Sequence, residues 1–178
     1  MKATGIVRRI DDLGRIVIPK EIRRVLRIHD GDPLEIYTDR EGEVIFKKYS
    51  PVGEMGAFAS QLCDTVARVS ECTVAVTDRD SVIAASGPDK KELLEKRLSE
   101  ELEKIIEGRQ PYFDTEGGKG IKMTEGSEKP AFAAVPIVVL GDITGCVLMA
   151  GKENFVCTEA EKKLAMSIAS FLGKQIDS

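Results

Sequence analysis

The chain of 178 residues contains no tryptophan and a single histidine, His29. Aromatic residues make up only 5% of the composition, so its cores must be built from isoleucine, valine, leucine and alanine. A zinc site needs several cysteine or histidine ligands at short spacing, and the four cysteines form no CxxC pair. We therefore expect no metal site, and we expect reduced, packed thiols at Cys63, Cys72, Cys146 and Cys157.

Long apolar runs are also missing from this sequence. No segment approaches the roughly 18 consecutive apolar residues that a membrane-spanning helix needs. The N-terminus lacks the apolar core of a secretory signal. The sequence therefore predicts a cytoplasmic protein without a membrane partner.

Positive charge is concentrated near the N-terminus, although the whole chain is acidic, with a net charge of −4. Residues 1–27 carry eight lysines and arginines against three acidic residues, whereas residues 51–178 carry fifteen basic and twenty-one acidic residues. A positive end on a negative protein suits a phosphate backbone, because the acidic remainder is repelled by the same polyanion. The shift in charge also predicts two domains, residues 1–50 and 51–178.

The N-terminal segment predicts short β-strands joined by a turn. β-branched runs indicate strands over residues 4–10 and 15–18, with the turn at residues 11–14 between them. Pro19 suits the first position of a short helix, since a helix leaves its first N–H groups unpaired in any case. A hairpin follows at residues 34–38 and 43–47, where apolar and polar residues alternate around a glycine-containing turn.

Four short strands and one short helix bury little apolar surface. Domains of this size usually depend on a metal, a disulfide or a partner chain, and the first two are not expected here. Size alone therefore predicts that the N-terminal domain is an obligate dimer.

Residues 51–178 predict an α+β domain. Helices are predicted over residues 51–69, 90–107 and 158–176, and strands over residues 72–78, 82–86, 131–140 and 143–151. Thr158 and Glu161 form a capping box at the start of the last helix. Residues 114–130 are rich in glycine and predict a loop. This order of elements indicates an antiparallel sheet with helices packed on one side.

Arginine predominates in the basic N-terminal cluster, which contains Arg8, Arg9, Arg15, Arg23, Arg24 and Arg27. Arginine is suited to bidentate contacts with phosphate or with guanine edges. The alternative is a solvated basic face whose charges pair with neighbouring acids such as Asp11, Asp12 and Glu21. From the residues alone, both interpretations stay open.

The motifs of the first fifty residues are a basic strand followed by DDLGRIVIPKEIRR, GDPLEIY and EVIFKKY. In this order they resemble the AbrB/MazE-type DNA-binding domain of bacterial transition-state regulators. The resemblance implies a swapped-hairpin β-barrel in which two chains interleave. It implies a surface contacting double-stranded DNA through Arg8, Arg15, Arg23 and Arg24. Weaker candidates for peripheral phosphate contacts are Lys2, Arg9 and Lys20.

The layout of the whole chain resembles two-domain regulators of spore-forming bacteria, in which a GAF domain follows an AbrB-type domain and the assembly is tetrameric. In the C-terminal half the match is one of layout and length. The resemblance implies a regulator of sporulation genes, acting as activator or repressor, that is not an enzyme and carries no cofactor.

Two roles are open for the C-terminal domain, and both can hold together. Apolar stripes on its flanking helices favour an oligomer interface built from Met55, Phe58, Leu62, Val66, Leu164, Ile168, Phe171 and Leu172. The other role is sensing of an unidentified small molecule in a pocket between the sheet, the glycine-rich loop and the charged helix.

Other functional classes fit the sequence less well. Gly117-Gly118-Lys119-Gly120 lacks the order of a phosphate-binding P-loop, and no catalytic residues are predicted. An antitoxin-like interaction module of the MazE type is the main alternative, but such modules end in a disordered acidic tail, whereas a folded domain is predicted here. A stand-alone metabolite-binding protein is a third possibility, and it would ignore DNA.

Overall fold

The computed structural model describes residues 5–151 and 155–177. The chain divides into two compact units, Met1–Tyr49 and Ser50–Ser178, which we call the N-terminal and C-terminal units. Each unit is described by itself.

The N-terminal unit contains one short helix and one hairpin. Helix α1 (Lys20–Val25) starts directly after Pro19 and accommodates only six residues. Strands β1 (Leu34–Thr38) and β2 (Val44–Lys48) pair in antiparallel register, with Leu34 opposite Lys48. The predicted hairpin is therefore confirmed.

The two strands predicted before the helix are not formed within one chain. Residues 5–10 and 15–18 have no strand structure, and Thr4 lies outside the described residues. A strand is stable only when a neighbour pairs with its N–H and C=O groups. The turn between the two segments is closed by hydrogen bonds from Asp11 N to the Arg15 carbonyl and from Gly14 N to the Asp11 carbonyl, both at 3.0 Å.

The apolar residues of the N-terminal unit are largely exposed. Both apolar core clusters of the structure consist of residues from Val52 onward. Exposed apolar side chains of the N-terminal unit include Ile6, Val7, Ile10, Leu13, Ile16, Val17, Val25, Leu26, Ile36, Val44, Ile45 and Phe46. A single copy of this unit therefore gains little stabilisation from the burial of apolar surface.

The C-terminal unit is organised around a five-stranded antiparallel sheet of order β4-β3-β9-β8-β5. Its strands are β3 (Thr73–Thr77), β4 (Val82–Ser86), β5 (Tyr112–Phe113), β8 (Ala133–Val139) and β9 (Asp142–Ala150). A separate two-stranded ribbon consists of β6 (Ile121–Lys122) and β7 (Pro130–Ala131). The long hairpin β8–β9 includes the central strand, as its apolar composition predicts.

Five helices accompany the sheet: α2 (Pro51–Glu54), α3 (Gly56–Ser70), α4 (Lys90–Leu93), α5 (Glu100–Gly108) and α6 (Glu159–Ile176). Ser50 caps α2, because its hydroxyl accepts the Gly53 N–H at 3.0 Å. Both halves of the predicted capping box of α6 are present, the Thr158 hydroxyl and the Glu161 carboxylate each bonding main-chain N–H groups.

Two of the predicted helices are interrupted. The first is divided at Met55 into α2 and α3. The second is divided between α4 and α5, where Glu95 has a φ of 63°. The residues between α4 and α5 are hydrogen-bonded to β4 and do not continue the helix. The Val82 N–H donates to the Lys96 carbonyl at 3.0 Å, and the Glu95 N–H donates to the Val82 carbonyl at 2.9 Å.

The sheet is covered on both faces, which corrects the expectation of helices on one side only. On the first face, α2, α3 and α6 enclose a core that includes Val74, Val76, Val135, Val147 and Met149. On the second face, α4, α5 and the β6–β7 ribbon enclose a core that includes Ala75, Cys146, Leu148, Leu102 and Met123. Alternation along β3 and β9 divides their side chains between these two cores.

Candidate nucleic-acid interface and assembly surface

The turn at residues 11–15 presents Arg15, one of the predicted DNA-binding residues. One oxygen of the Asp11 carboxylate, Oδ1, accepts the main-chain N–H groups of Leu13 (3.0 Å) and Arg15 (2.8 Å). The other oxygen, Oδ2, accepts Arg15 Nε at 2.9 Å. The N–H of Arg15 is the largest cause lowering the pKa of Asp11, so this carboxylate stays ionised at neutral pH.

Arg23 and Arg24 are neighbours on α1 and differ in their partners. Arg23 Nη1 forms an ion pair with Asp30 Oδ1 at 2.6 Å, although Asp30 is almost fully exposed. Exposed pairs of this kind contribute roughly 0–1 kcal/mol, so a stronger ligand can displace Asp30. Arg24 is exposed and forms no ion pair with any residue of the described ranges.

The remaining predicted contacts lie on either side of these residues. Arg8 and Arg9 are exposed in the segment before the turn, and Lys20 is exposed at the start of α1. Lys2 lies outside the described residues. The structure therefore places every described candidate except the half-buried Arg23 on the solvent-exposed surface of the unit.

Contacts at the C-terminal end of α1 tie the helix to the hairpin. Arg27 has a φ of 51°, and the Ile28 N–H donates to the Arg23 carbonyl at 2.8 Å, which closes the helix end. Lys48 Nζ on β2 donates to the Arg27 carbonyl at 2.9 Å and lies 3.5 Å from the buried carboxylate of Asp32. Lys48 and Asp32 thus support the position of Arg23 and Arg24.

Sequence reasoning overlooked Asp11, Asp32 and Lys48 as supporting residues. The sequence predicts Asp11 only as an ion-pair partner, in the alternative interpretation of the basic cluster. The signal for its role is an aspartate three residues before a glycine, since aspartate side chains commonly accept N–H groups of a following turn. Asp32 and Lys48 are distant in sequence, and their pairing needs the folded unit.

The predicted oligomer interface is only partly available on the surface of the C-terminal unit. Val66, Ile168 and Leu172 are buried in the first core, so they are corrected from interface to core residues. Met55, Leu62 and Leu164 are half-buried and pack against the same core. The helical stripe is wide enough to serve the sheet and the surface, and spacing alone did not separate these positions.

Phe58 on α3 and Phe171 on α6 are the exposed members of the predicted interface. Their side chains are 36% and 44% exposed, and their ring centroids are 5.8 Å apart. Beside them, α6 carries a shallow groove lined by Met166, Ser167, Ser170, Phe171 and Lys174. We call the two phenylalanines, together with the adjacent Met166, the aromatic patch.

Apolar side chains pack between α5 and the sheet, in the region where a sensor pocket is predicted. Leu98, Leu102 and Met123 lie between α5 and the sheet and are fully buried. Two buried hydroxyls on this side, those of Thr77 and Thr124, have no hydrogen-bond partner among the described residues. Thr77 faces this side because it lies opposite Cys146, a member of the second core.

The glycine-rich loop is ordered by the carboxylate of Asp114. Asp114 Oδ1 accepts the N–H of Gly118 at 2.9 Å, and Oδ2 accepts the N–H of Gly120 at 3.1 Å. The Gly118 bond is the largest cause lowering the pKa of Asp114. Glycine is required at position 120, where φ is 62° and a Cβ atom would lie 2.6 Å from the Ala131 carbonyl oxygen.

The cysteines lie inside the C-terminal unit and form no disulfide in the described ranges. All four cysteines are buried free thiols, and burial raises the pKa of Cys63 to about 12 and that of Cys157 to about 11. Residues 5–151 and 155–177 contain no cluster of histidine, cysteine and carboxylate groups that could hold a metal ion. None of the helices in these ranges is long and apolar enough to cross a membrane.

Comparisons with known proteins match both units. Residues 54–177 match the family model described as "Stage V sporulation protein T C-terminal, transcription factor", and residues 7–54 match the model described as "Antidote-toxin recognition MazE, bacterial antitoxin". Stage V sporulation protein T of Bacillus subtilis is 46% identical over 179 residues, covering 99% of each chain. The transition state regulatory protein AbrB of the same organism is 40% identical over 89 residues, covering 50% of this chain and 83% of AbrB.

Solved structures support the fold of the C-terminal unit. The GAF domain of a phosphoenolpyruvate-protein phosphotransferase from Acinetobacter has a TM-score of 0.56 at 12% identity, covering 68% of this chain and 81% of that domain. The cofactor-binding GAF domain of the nutrient sensor CodY from Clostridium difficile has a TM-score of 0.51 at 16% identity. This match covers 66% of this chain and 83% of that domain. Identities this low establish the fold alone.

The two units thus define a class of protein, the transcription factors that join an AbrB/MazE-type N-terminal domain to a C-terminal domain with the GAF fold. Within that class, the chain belongs to the stage V sporulation protein T family.

Proposed function

We propose that this protein is a DNA-binding transcription regulator of sporulation genes that acts as a homo-oligomer in the cytoplasm, at the nucleoid. Two interleaved N-terminal units bind double-stranded DNA through Arg8, Arg15, Arg23 and Arg24, with Arg9, Lys2 and Lys20 as peripheral contacts. The observation that carries the proposal is the set of solvent-accessible arginines on a short turn and helix, at the one positive end of an acidic chain.

The arginine geometry supports binding to phosphate. Arg15 and Arg23 each use one nitrogen for an intramolecular carboxylate and retain further N–H donors, while Arg24 has no ion-pair partner among the described residues. Phosphate contacts position a protein on the duplex, and a subset of side chains reaching base edges supplies sequence selectivity. Whether the bound protein activates or represses depends on the promoter.

The exposed apolar residues of the N-terminal unit support its dimerisation. Residues 5–10 and 15–18 form no strand within one chain, and most of their isoleucines and valines are exposed. Pairing with a second copy would allow these segments to form strands and would bury these side chains together. Interleaving also presents each arginine twice, related by a two-fold axis, as a symmetric binding site on DNA requires.

The test is the salt dependence of DNA binding by the full-length protein. Four arginines per chain give eight per dimer, so log affinity for a DNA duplex should fall with log salt at a slope of roughly −7. Arg24→Ala should lower the magnitude of that slope by about two, because each dimer loses two phosphate contacts. Fluorescence anisotropy over a salt series measures both quantities.

Arg40→Ala is the matched control for this experiment. Arg40 is exposed on the β1–β2 turn between Asp39 and Glu41. Its replacement by alanine therefore removes the same charge as Arg24→Ala, but from a locally acidic site. Its slope should equal that of the unaltered protein. A slope near zero for the unaltered protein, or alanine variants of all four arginines that behave like Arg40→Ala, would show that DNA does not bind this surface.

We further infer that the C-terminal units assemble dimers into a tetramer through the aromatic patch. Phe58 and Phe171 expose apolar surface on two adjacent helices, although the underlying core is complete. Pairing α3 and α6 with their copies in a second chain would form a four-helix seam. Native mass spectrometry of freshly purified protein should report four subunits, and a dimer would contradict this assembly.

Small-molecule sensing by the C-terminal unit is the finer part of the proposal. The unpartnered hydroxyls of Thr77 and Thr124 support it, since buried polar groups normally find a hydrogen-bond partner. A ligand would have to displace buried side chains such as Met123. The same mass spectrum tests this role, because a retained ligand adds mass to each subunit and a spectrum of apo mass alone argues against it.

The family model of residues 7–54 favours an antitoxin-like function as the second candidate. That model covers only the N-terminal unit, and the folded C-terminal unit takes the place of a toxin-wrapping tail. Co-purification with a ribonuclease, together with loss of DNA binding, would favour this candidate over the regulator.

A further inference from the structure

We propose that Asp11 is a positioning residue that fixes the guanidinium of Arg15 for contact with a DNA phosphate. This inference rests on the proposed function, since it names the residue that prepares one of the proposed DNA contacts. The negative charge of Asp11 would by itself repel a DNA phosphate. The hydrogen bonds that the Asp11 carboxylate accepts explain why an acidic residue is nevertheless suited to this position.

The two oxygens of the Asp11 carboxylate have separate tasks. Oδ1 holds the turn, because it accepts the N–H groups of Leu13 and Arg15. Oδ2 holds the side chain, because it accepts Nε of Arg15 at 2.9 Å. The carbonyl of Arg15 also accepts the Asp11 N–H at 3.0 Å, so residues 11 and 15 are joined through main chain and side chain together.

The choice of nitrogen decides what remains available for DNA. The Nε contact occupies the inner edge of the guanidinium and leaves the two terminal nitrogens for a phosphate, which they can bind bidentately. The Arg15 side chain remains 70% exposed in spite of this contact. A guanidinium held in place before binding loses less conformational freedom when the phosphate arrives.

The pair formed by Arg23 and Asp30 shows the opposite arrangement. Asp30 contacts Nη1, a terminal nitrogen that a phosphate would use, and it makes this contact from an exposed position. Asp30 therefore competes with DNA for Arg23, whereas Asp11 supports the binding geometry of Arg15. Removal of the two carboxylates should change DNA affinity in opposite directions.

The experiment compares Asp11→Asn with Asp12→Asn in the full-length protein. Both variants remove one negative charge, but no contact of the Asp12 side chain is seen in the described ranges. Asparagine at position 11 keeps an oxygen for the turn and places its NH2 group, which cannot accept a hydrogen bond, against Nε. The probe is a mixed-sequence DNA duplex of roughly four helical turns, about 40 base pairs.

We expect Asp11→Asn to weaken binding by about threefold, the size of a lost exposed ion pair, despite the favourable change in net charge. Asp12→Asn should bind as tightly as the unaltered protein or more tightly, and Asp30→Asn should bind more tightly. In an Arg15→Ala background, Asp11→Asn should have no further effect, because the two residues act as one unit. The Nε–Hε NMR signal of Arg15 should shift in Asp11→Asn and stay unchanged in Asp12→Asn.

Failure of the inference is distinguishable from failure of the proposed function. If Arg15→Ala leaves affinity unchanged, the proposed DNA contact itself is wrong. If Arg15→Ala weakens binding but Asp11→Asn matches Asp12→Asn, the contact stands and the positioning role is overturned. The role is also overturned if Asp11→Asn weakens binding equally with and without Arg15.

Arg15→Lys keeps the test decisive if Asp11→Asn fails to fold, as judged by circular dichroism and subunit number. Lysine retains the charge but has a single nitrogen, which cannot contact Asp11 and still offer two donors to a phosphate. Arg15→Lys should therefore weaken DNA binding by about threefold or more, the loss expected for Asp11→Asn. Unaltered affinity in Arg15→Lys would overturn the positioning role.

Discussion

Leu140, like Arg27, is a non-glycine residue with a positive φ, a backbone conformation that is strained for residues with a Cβ atom. It lies at the tip of the β8–β9 hairpin with a φ of 50°, followed by Gly141 at 89°. Two consecutive positive φ values are the geometry of a type I′ turn, which favours Asn-Gly. Leucine at this position is 87% exposed, so packing does little to offset the strain.

Leu140→Asn should stabilise the C-terminal unit by about 1 kcal/mol, because asparagine tolerates the left-handed conformation better than leucine. Urea unfolding of the full-length protein measures the change as a higher transition midpoint. Leu140→Ala is the control, since alanine removes the exposed side chain but keeps a Cβ atom. An equal gain in both variants would mean that side-chain exposure, and not backbone strain, was responsible.

At the scale of elements, helix and strand patterns succeeded where each element's partners lie within the chain. The last helix begins where its capping box predicts, and β8 and β9 form one long hairpin. The patterns predicted strands at residues 5–10 and 15–18, which have no strand structure within one chain. They also failed at Glu95, where hydrogen bonds to β4 prevailed over helical spacing.

The candidate site was predictable to the same extent. Spacing and resemblance identified Arg15 and Arg23, because their residue types and positions are visible in the sequence. The difference between their partners was not visible, since it depends on which guanidinium nitrogen faces each carboxylate. The burial of Val66, Ile168 and Leu172 was missed because one wide apolar stripe serves both a core and a surface.

The loop after β5 depends on Asp114, which accepts hydrogen bonds from Gly118 and Gly120. These bonds favour the ionised carboxylate and lower its pKa. The resulting stabilisation is present at and above the ordinary aspartate pKa of 3.8. It is lost as the pH falls through the lower pKa of the folded state.

Asp114→Asn should destabilise the C-terminal unit at neutral pH, because the NH2 group that replaces Oδ2 cannot accept the N–H of Gly120. The difference from the unaltered protein should shrink as the pH falls below 3.8, where Asp114 itself becomes protonated. Urea unfolding over a pH series measures this difference. Glu116→Gln, an exposed carboxylate in the same loop, is the control, and an identical pH profile in both variants would contradict the role of Asp114.

At the scale of the whole molecule, the two units differ in how much apolar surface a single chain can bury. The C-terminal unit has two buried cores, one on each face of its sheet. The N-terminal unit leaves most of its apolar side chains exposed and contributes no member to either core. Linking the two units allows assembly of one to raise the effective concentration of the other.

Phe171→Asp should reduce the assembly from four subunits to two while the dimer still binds DNA. A carboxylate in the proposed seam would be buried without a partner, which costs about 3 kcal/mol or more, roughly a hundredfold in the association constant. Leu140→Asp places the same charge on another exposed apolar residue and should leave the assembly intact. Sedimentation equilibrium distinguishes the outcomes, and four subunits in Phe171→Asp would contradict the aromatic patch as the seam.

The amino-acid sequence by itself determined the division of charge, the elements with local partners and the arginines that define the N-terminal surface. These follow from composition, periodicity and caps, which act over a few residues. Only the tertiary structure decided which stripe residues are buried, how Asp11 and Asp30 engage their arginines, and that the sheet is covered on both faces. Those features arise from contacts between residues distant in sequence or from the direction of individual side-chain atoms, which spacing along the chain does not specify.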